Sequence, residues 1–509
     1  MKFKSIYPLA LGALLMTGCK KSFLDINTNP NSVPTATPAV VLTNALNTTA
    51  SRMVSPNEIG SYWSGQWTQS SSYILSPTTF NYQFTNGDFN YWDGLFDNLQ
   101  DYQYVLNNAE ANGQKYFKGP ANVMKAYVYQ SLIDMYGDVP FTDALKGLGS
   151  LAPKFDNQKT VYESLITLLD AAIVDLKANS FASAYTGSGT DIIFGGNTTK
   201  WVRFANSLKL RILMHQSRVT GRDAYITTEI NKIVTEGSGF ITGEDVGVGG
   251  PSFFVASDGK LNPIYERWGY KANGATQALG RYPRPTKFLF DQLISANDTF
   301  RLKRIAYAKG GEKGSTPGVS TNAEVLSNYV GVPFGVASGY TAPSTSYIGP
   351  SLIVKGEFNR PVILMTAAEV QFSLAEAKQR FPAVTLPGTA QSYYEEGVKQ
   401  SFRILGVADA ATKANTLLTS GIADADWNAS TDKLKAIAVQ KWIALVNFSG
   451  LEAWTEYRKS NLPVTPQSPG VSTADRPLRF FYPNTESGSN ANVPTGIDVF
   501  KTRLFWDVD

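Results

Sequence analysis

Between Tyr62 and Trp92 the chain carries ten aromatic residues: Tyr62, Trp63, Trp67, Tyr73, Phe80, Tyr82, Phe84, Phe89, Tyr91 and Trp92. Amides and hydroxyls of Gln66, Gln69, Ser70, Ser71, Ser72, Asn81 and Asn90 are interleaved with them. A sugar ring offers a C–H face that stacks on a flat aromatic ring, and a rim of hydroxyls that needs amides or charges at its edge. A second set of the same chemistry lies in NPIYERWGYKAN, with Asn262, Tyr265, Arg267, Trp268, Tyr270 and Asn273. The expected ligand-binding residues are therefore Trp63, Trp67, Tyr73, Asn81, Tyr82, Arg267, Trp268 and Tyr270. At least two of these rings are expected to face solvent, because Trp and Tyr in polar loop sequence are seldom all buried. The competing reading is that they plug gaps beneath long loops. Arg267, Lys271, Arg281 and Arg284 keep a peptide cargo open beside an oligosaccharide.

Other chemistries have little to stand on. The sequence has no H-E-x-x-H and no P-loop, and Gly349-Pro350-Ser351 runs on to Ile353 where a nucleophile elbow needs Gly. His215, the only histidine, sits on the apolar face of a predicted helix, which suits a satisfied core imidazole better than a catalytic one. Asp25, Asn27 and Asn29 imitate the start of a calcium loop, but Pro30 stands where that loop needs Gly and Ala36 where it needs Glu. No metal and no cofactor is expected, and no enzyme. A glycoside hydrolase needs only two well-placed carboxylates, so with 42 acidic residues that alternative stays open. The net charge of +4 comes with no basic run or recognition-helix pattern, so nucleic acid is not an expected partner.

The elements that must position the aromatics are helices. Ala121–Leu145 has Met124, Val128, Leu132 and Met135 at helical spacing, and Gly137 to end the run. Similar stripes predict helices at Ala39–Met53, Leu95–Ala111, Thr366–Arg380, Ala390–Leu405 closed by Gly406, and Asp432–Val446 closed by Gly450. Thr160 and Glu163 read as a capping box before Val161, Leu165, Leu169 and Leu176, and Asn197 as the cap of a helix containing Trp201, Leu208 and Ile212. Residues from about Gly237 to Pro361 are rich in Gly, Ser, Pro and Asn, with only Arg284–Ser295 reading as helix. Loops of that length usually carry function. Only 17% of residues are charged while 43% are hydrophobic, which argues for a folded core and against disorder.

The N-terminus places Lys2 and Lys4 before an apolar run from Ile6 to Met16, then Thr17, Gly18 and Cys19, the only cysteine. This is a secretory signal of residues 1–18, too short for a permanent span, followed by a lipobox-like Cys19 and a polar tether over 19–38. Cys19 is expected to carry the lipid that holds the chain on a membrane.

These pieces together resemble the SusD/RagB family of nutrient-binding outer-membrane lipoproteins, in its second SusD-like branch. The resemblance rests on Cys19 with FLDINTNPN, DMYGDVPFTDAL at 134–145, VYESLITLLDAAIVDL at 161–176, and KWVRFANSLKLRI at 200–212. It continues through LMTAAEVQFSLAEA at 364–377, QKWIALVNFSGLEAWTEYRKSNLP at 440–463, RFFYPNTESGSNANV at 479–493 and LFWD at 504–507. It implies a mainly α fold: a tetratricopeptide-like helical-repeat scaffold, about 39–236 and 362–460, with a loop-rich ligand-binding part carrying short strands at about 237–361 and 461–509. It further implies a single domain over 39–509 that captures an oligosaccharide or peptide outside the cell. The cargo would pass to a SusC-like TonB-dependent transporter barrel, from a lipid-anchored position on the outer membrane. Lys20 and Lys21 depart from the acidic residues that often follow the lipidated Cys in that family.

Overall fold

The apolar stripes of the first half dictate a series of helices that bury one another in chain order. In the computed structural model, which describes residues 36–187, 189–309, 323–471 and 475–508, α1 (Pro38–Arg52) is followed by α2 (Val54–Trp63) and then α3 (Trp92–Asn108). Helix α3 packs on α1 and on α4 (Lys118–Tyr136), α4 on α5 (Gln158–Ala178), α5 on α6 (Thr198–His215), and α6 on α7 (Asp223–Glu236). This is the helical scaffold that the family resemblance implies. Cys19 and the Asp25, Asn27, Asn29 run lie outside the described residues.

The second half adds α8 (Lys287–Ser295), α9 (Thr299–Ile305), α10 (Ala367–Arg380), α11 (Ala390–Ile404), α12 (Ala410–Leu418), α13 (Lys433–Leu445) and α14 (Gly450–Ser460). Helix α10 is the joint between two cores. Val370, Leu374 and Ala377 face the core built around α1 to α7, while Ala368, Phe372 and Ala375 face the one built around α8 to α13. Its small residues permit that double contact. The strands are short and antiparallel, in three pairs among the described residues: β1 (Trp67–Gln69) with β3 (Pro283–Pro285), β2 (Val246–Val248) with β6 (Val362–Met365), and β4 (Ala306–Tyr307) with β5 (Tyr347–Ile348). They tie loop to loop and leave the scaffold helical.

Several boundaries differ from expectation for identifiable reasons. Helix α5 is capped by Asn157, whose side chain accepts from the Lys159 and Thr160 N–H groups. Thr160 is already inside the helix, and Glu163 reaches Arg222 at 2.6 Å, so there is no capping box at that pair. Gly450 does not close a helix but opens α14. A Cβ there would lie 2.0 Å from the Asn57 carbonyl oxygen, and one on Gly60 would lie 2.3 Å from the Gly450 oxygen, so α2 and α14 touch backbone to backbone. Helix α2 has no counterpart among the helices that the apolar stripes predict. Ser55, Pro56, Asn57, Gly60 and Ser61 give it low propensity, and the contact with α14 makes up for that.

Facing helices also meet through buried charge. Arg211 on α6 grips Glu369 of α10 with two bonds, 2.6 Å and 2.9 Å, and lies 3.5 Å from Glu452 of α14. His215 places Nε2 3.0 Å from Glu452 and Nδ1 3.1 Å from the Tyr162 hydroxyl of α5, which donates to Asp134 of α4. Lys441 of α13 donates to Glu456 at 2.7 Å, and Lys459 bridges Glu456 at 2.7 Å and Glu376 at 2.9 Å. Burial opposes a charge on His215, but Glu452 and Asp134 more than offset it, so its pKa rises above 6.5. Burial likewise resists ionisation of Glu452, yet His215 and Arg211 hold its carboxyl far below the usual range.

Two outcomes test this network. Glu452→Gln is expected to cost about 3–5 kcal/mol in denaturant unfolding, because it strips one side from buried pairs; an unchanged midpoint would mean the pairs contribute nothing. A raised His215 pKa stabilises the fold fully below 6.5 and ceases to do so as the pH climbs through the folded value. Melting temperature should therefore fall as pH rises beyond 6.5, and His215→Gln should flatten that limb.

Candidate functional site

The loop before α3, helix α2 and the turn preceding β3 meet around a cleft of about 450 Å³. Its floor is an ion pair: Arg267 donates to Glu58 Oε2 through Nη2 at 2.6 Å and Nε at 3.1 Å, and the Tyr62 hydroxyl donates to Glu58 Oε1 at 3.1 Å. Its walls are rings. Tyr62 and Tyr282 meet edge to face with centroids 6.4 Å apart, and Phe89 and Tyr91 complete the aromatic lining. Leu279, 52% exposed, and the exposed Asn90 stand at the rim. Burial, with Glu58 adding to it, pushes the Tyr282 phenol up to about 12 and also raises the Tyr62 phenol well above its ordinary value, so both are neutral at ordinary pH.

Local structure explains the placement. Helix α2 presents Ser55, Glu58, Ile59 and Tyr62 to the cleft, at helical spacing on one face. Tyr265–Gly269 forms a π-helical turn, the wide kind that often marks functional sites. It turns Arg267 into the cleft while Trp268 goes inward. Tyr282 directly precedes β3, whose pairing with β1 fixes it beside Tyr73 at 5.6 Å between ring centroids.

Most of the residues expected to bind ligand are elsewhere. Trp63 is 2% exposed, surrounded by Tyr82, Phe84, Phe89, Trp454 and Phe480, with its indole N–H donating to the Thr79 carbonyl at 2.9 Å. Trp67, 2% exposed, and Trp268, 4% exposed, meet edge to face at 5.4 Å, and the Trp67 N–H donates to Asn447 Oδ1 at 3.1 Å. Tyr82 and Tyr270 are buried too, the latter against Tyr265. The expectation of exposed Trp platforms is corrected: these rings gain more by burying their large apolar area under the loops than a solvent-facing position would allow. Asn81 is half-buried, and a Cβ on Gly470 would approach its Oδ1 to 2.4 Å. Arg267 lines the cleft, and Tyr73 buttresses Tyr282 from behind, bonded to the Ala278 carbonyl at 3.1 Å.

The aromatic run thus supplies the cleft through Tyr62, Phe89 and Tyr91 and leaves its tryptophans to the core. Glu58, Leu279 and Tyr282 carried no local pattern that would have singled them out. The nearest signal was Tyr282 in GRYPRP, a ring in turn sequence with little room to fold inward. Among the described residues, His215, Glu452 and Glu456 have ligand atoms within 4.8 Å of one another, a metal-like grouping. The Lys441 ammonium, 2.7 Å from Glu456 and 3.8 Å from Glu452, occupies the place of a cation there. His215 is fully buried and bonded at both nitrogens, the satisfied core imidazole that its position predicts.

A scaffold of successive packed helices with short tying strands is the fold, and the comparisons with known proteins place it in a family. The family described as "starch-binding associating with outer membrane", the second SusD-like group, matches residues 30–483, and the chain belongs to it. No curated protein matches the sequence. Among solved structures, a SusD homologue from Bacteroides uniformis is 23% identical with a TM-score of 0.72, over 92% of this chain and 99% of its own. A SusD homologue from Bacteroides fragilis, 19% identical, superimposes with a TM-score of 0.73 over 92% of this chain and 100% of its own. A chitin-binding SusD homologue from Flavobacterium johnsoniae is 22% identical with a TM-score of 0.69, over 92% and 99%. At these identities the likeness is one of fold.

Trp63→Ala should cost about 3–5 kcal/mol in chemical unfolding, since the ring is core. A variant as stable as the parent would contradict the packing described.

Proposed function

We propose that this protein captures oligosaccharide in the Tyr282 cleft at the outer membrane and passes it to a SusC-like TonB-dependent transporter barrel. The observation that carries the reading is the joining of ring faces and a fixed Glu58–Arg267 pair in one cleft. Tyr282 and Tyr91 suit the C–H face of a sugar. The ion pair offers donors and acceptors side by side, which suits neighbouring hydroxyls, and it is already held in place before a ligand arrives. Membership of a family described as starch-binding supports a glycan cargo. So does the chitin-binding relative of the same fold.

The rival cargo and chemistry gain less. Of the basic residues that would favour peptide, Arg284 is fully buried, and Lys271 and Arg281 are exposed away from the cleft lining. For a hydrolase, Glu58 is the one carboxylate among the described residues lining the cleft, and Arg267 holds it, whereas glycoside hydrolysis needs a pair. In this reading a lipid on Cys19 holds the chain at the membrane, facing outward. Among the described residues no helix is long and apolar enough to cross a membrane.

Affinity gels and calorimetry against a panel of neutral glycans test the site. Tyr282→Ala and Arg267→Ala are each expected to weaken retention about tenfold or more, with melting little changed. Full retention by both variants of a glycan that the parent binds would sink the assignment. Release of shorter products by the purified protein would replace it with the hydrolase.

A further inference from the structure

A second cleft is lined in part by Asn262 and Ile264, from the same segment that sends Arg267 to the first. Its 280 Å³ are bounded by the end of α9, the end of α11, the 350–361 loop and the turn between α13 and α14. Three arginines share it: Arg304, Arg360 and Arg403. Arg403 donates to Asp245 at 2.7 Å and to Gln400 at 2.5 Å. Arg360 donates to the Pro350 and Ser351 carbonyls at 2.8 Å and 3.0 Å and pairs with Glu357. Among the described residues Arg304 bonds through Nε alone, to the Leu405 carbonyl at 2.8 Å, and makes no ion pair. Among the described residues, three cations therefore answer to two carboxylates, Asp245 and Glu357, and one positive charge is left over in a concave, half-buried place. Burial, and the neighbouring charge of Arg360 next, depress the Arg304 pKa, as expected of a cation held close to another without its own counter-ion.

That arrangement has a cost unless something negative enters. The remaining walls, including Ile264, Leu352, Leu405 and Phe448, are apolar. The volume is just under the roughly 300 Å³ at which small-molecule sites begin, so the occupant is about one ring in size. We propose that this cleft is a second binding site, specific for a sugar bearing a carboxylate, with the acid group on the free Arg304 fork beside Arg360 and the ring against the apolar wall. A planar guanidinium with two open N–H groups matches a carboxylate bidentately. The site stands apart from the Tyr282 cleft and does not depend on that cleft's assignment.

Calorimetric titration of the mature chain with glucuronate and with glucose tests it. Glucuronate should bind and glucose should not, with affinity falling as salt is raised. Arg304→Gln should lower glucuronate affinity about tenfold or more, while Tyr282→Ala should leave it unchanged. Should Arg304→Gln melt early, Arg403→Gln on the half-exposed rim provides the second reading and should also weaken binding. The proposal is overturned if neither arginine variant changes affinity, if glucose binds equally well, or if Tyr282→Ala abolishes the signal. It is overturned in favour of peptide termini if a dipeptide with a free carboxylate binds more tightly than glucuronate, loses binding on amidation, and responds to Arg304→Gln.

Discussion

Buried charge that must be paired is the constraint on which this structure turns. Asp134, Glu369, Glu376, Glu452 and Glu456 lie inside the helical body, where an uncompensated carboxylate would cost several kcal/mol. Each is answered from a different helix or a different turn: Arg211, His215, Lys441 and Lys459 reach them from α6, α13 and α14. A hydrophobic interface tolerates sliding, but a two-bond grip such as Arg211 on Glu369 does not. The network therefore fixes the relative register of α4, α5, α6, α10, α13 and α14, whatever its net contribution to stability. It also joins the halves of the chain, since α4 to α6 precede the long loop region and α10, α13 and α14 follow it.

From that fixed body the order passes outward to the cleft through α2. Gly60 and Gly450 allow α2 to lie directly on α14, the helix that carries Glu452 and Glu456. Helix α2 in turn holds Glu58 and Tyr62 at the cleft floor and Trp63 in the aromatic core with Trp454, again of α14. The loops close over this frame by using their tryptophans as anchors. Trp67 against Trp268 pins the strand after α2 to the π-helical turn, and the polar partners Asn447 and Thr79 satisfy the indole N–H groups that such burial requires.

What was legible in the sequence follows from the range of the signals. The stripes of α3, α4, α5, α6, α10, α11 and α13 are long and periodic, and their apolar faces are decided within the segment, so they were readable. The resemblance of eight segments in order carried the family. Helix α2 was not readable, because its ten residues are stabilised by a neighbour nearly four hundred positions away. The same distance explains the tryptophans. Whether Trp63 in a polar stretch is a platform or a plug depends on Trp454 and Phe480, which no local window contains. Composition correctly marked where aromatics and amides gather, but it could not rank tyrosine above tryptophan as the solvent-facing ring. Tyrosine has the hydroxyl that makes a half-wet position tolerable, as Tyr282 and Tyr73 show.

The widened turn at Tyr265–Gly269 separates two neighbours with different duties. Trp268 serves the interior, and Arg267, its guanidinium 5.5 Å from the Trp268 ring centroid, reaches into the cleft to pair with Glu58. Because Glu58 also accepts from the Tyr62 hydroxyl, a matched exchange at Glu58 and Arg267 that leaves Tyr62 an acceptor rewrites the polarity of the cleft floor while keeping the tryptophans beneath in place. If the cleft takes cargo as proposed, a lineage meeting a new food source could thus change what it recognises while inheriting its architecture intact, and divergence of cargo need leave no trace in the fold.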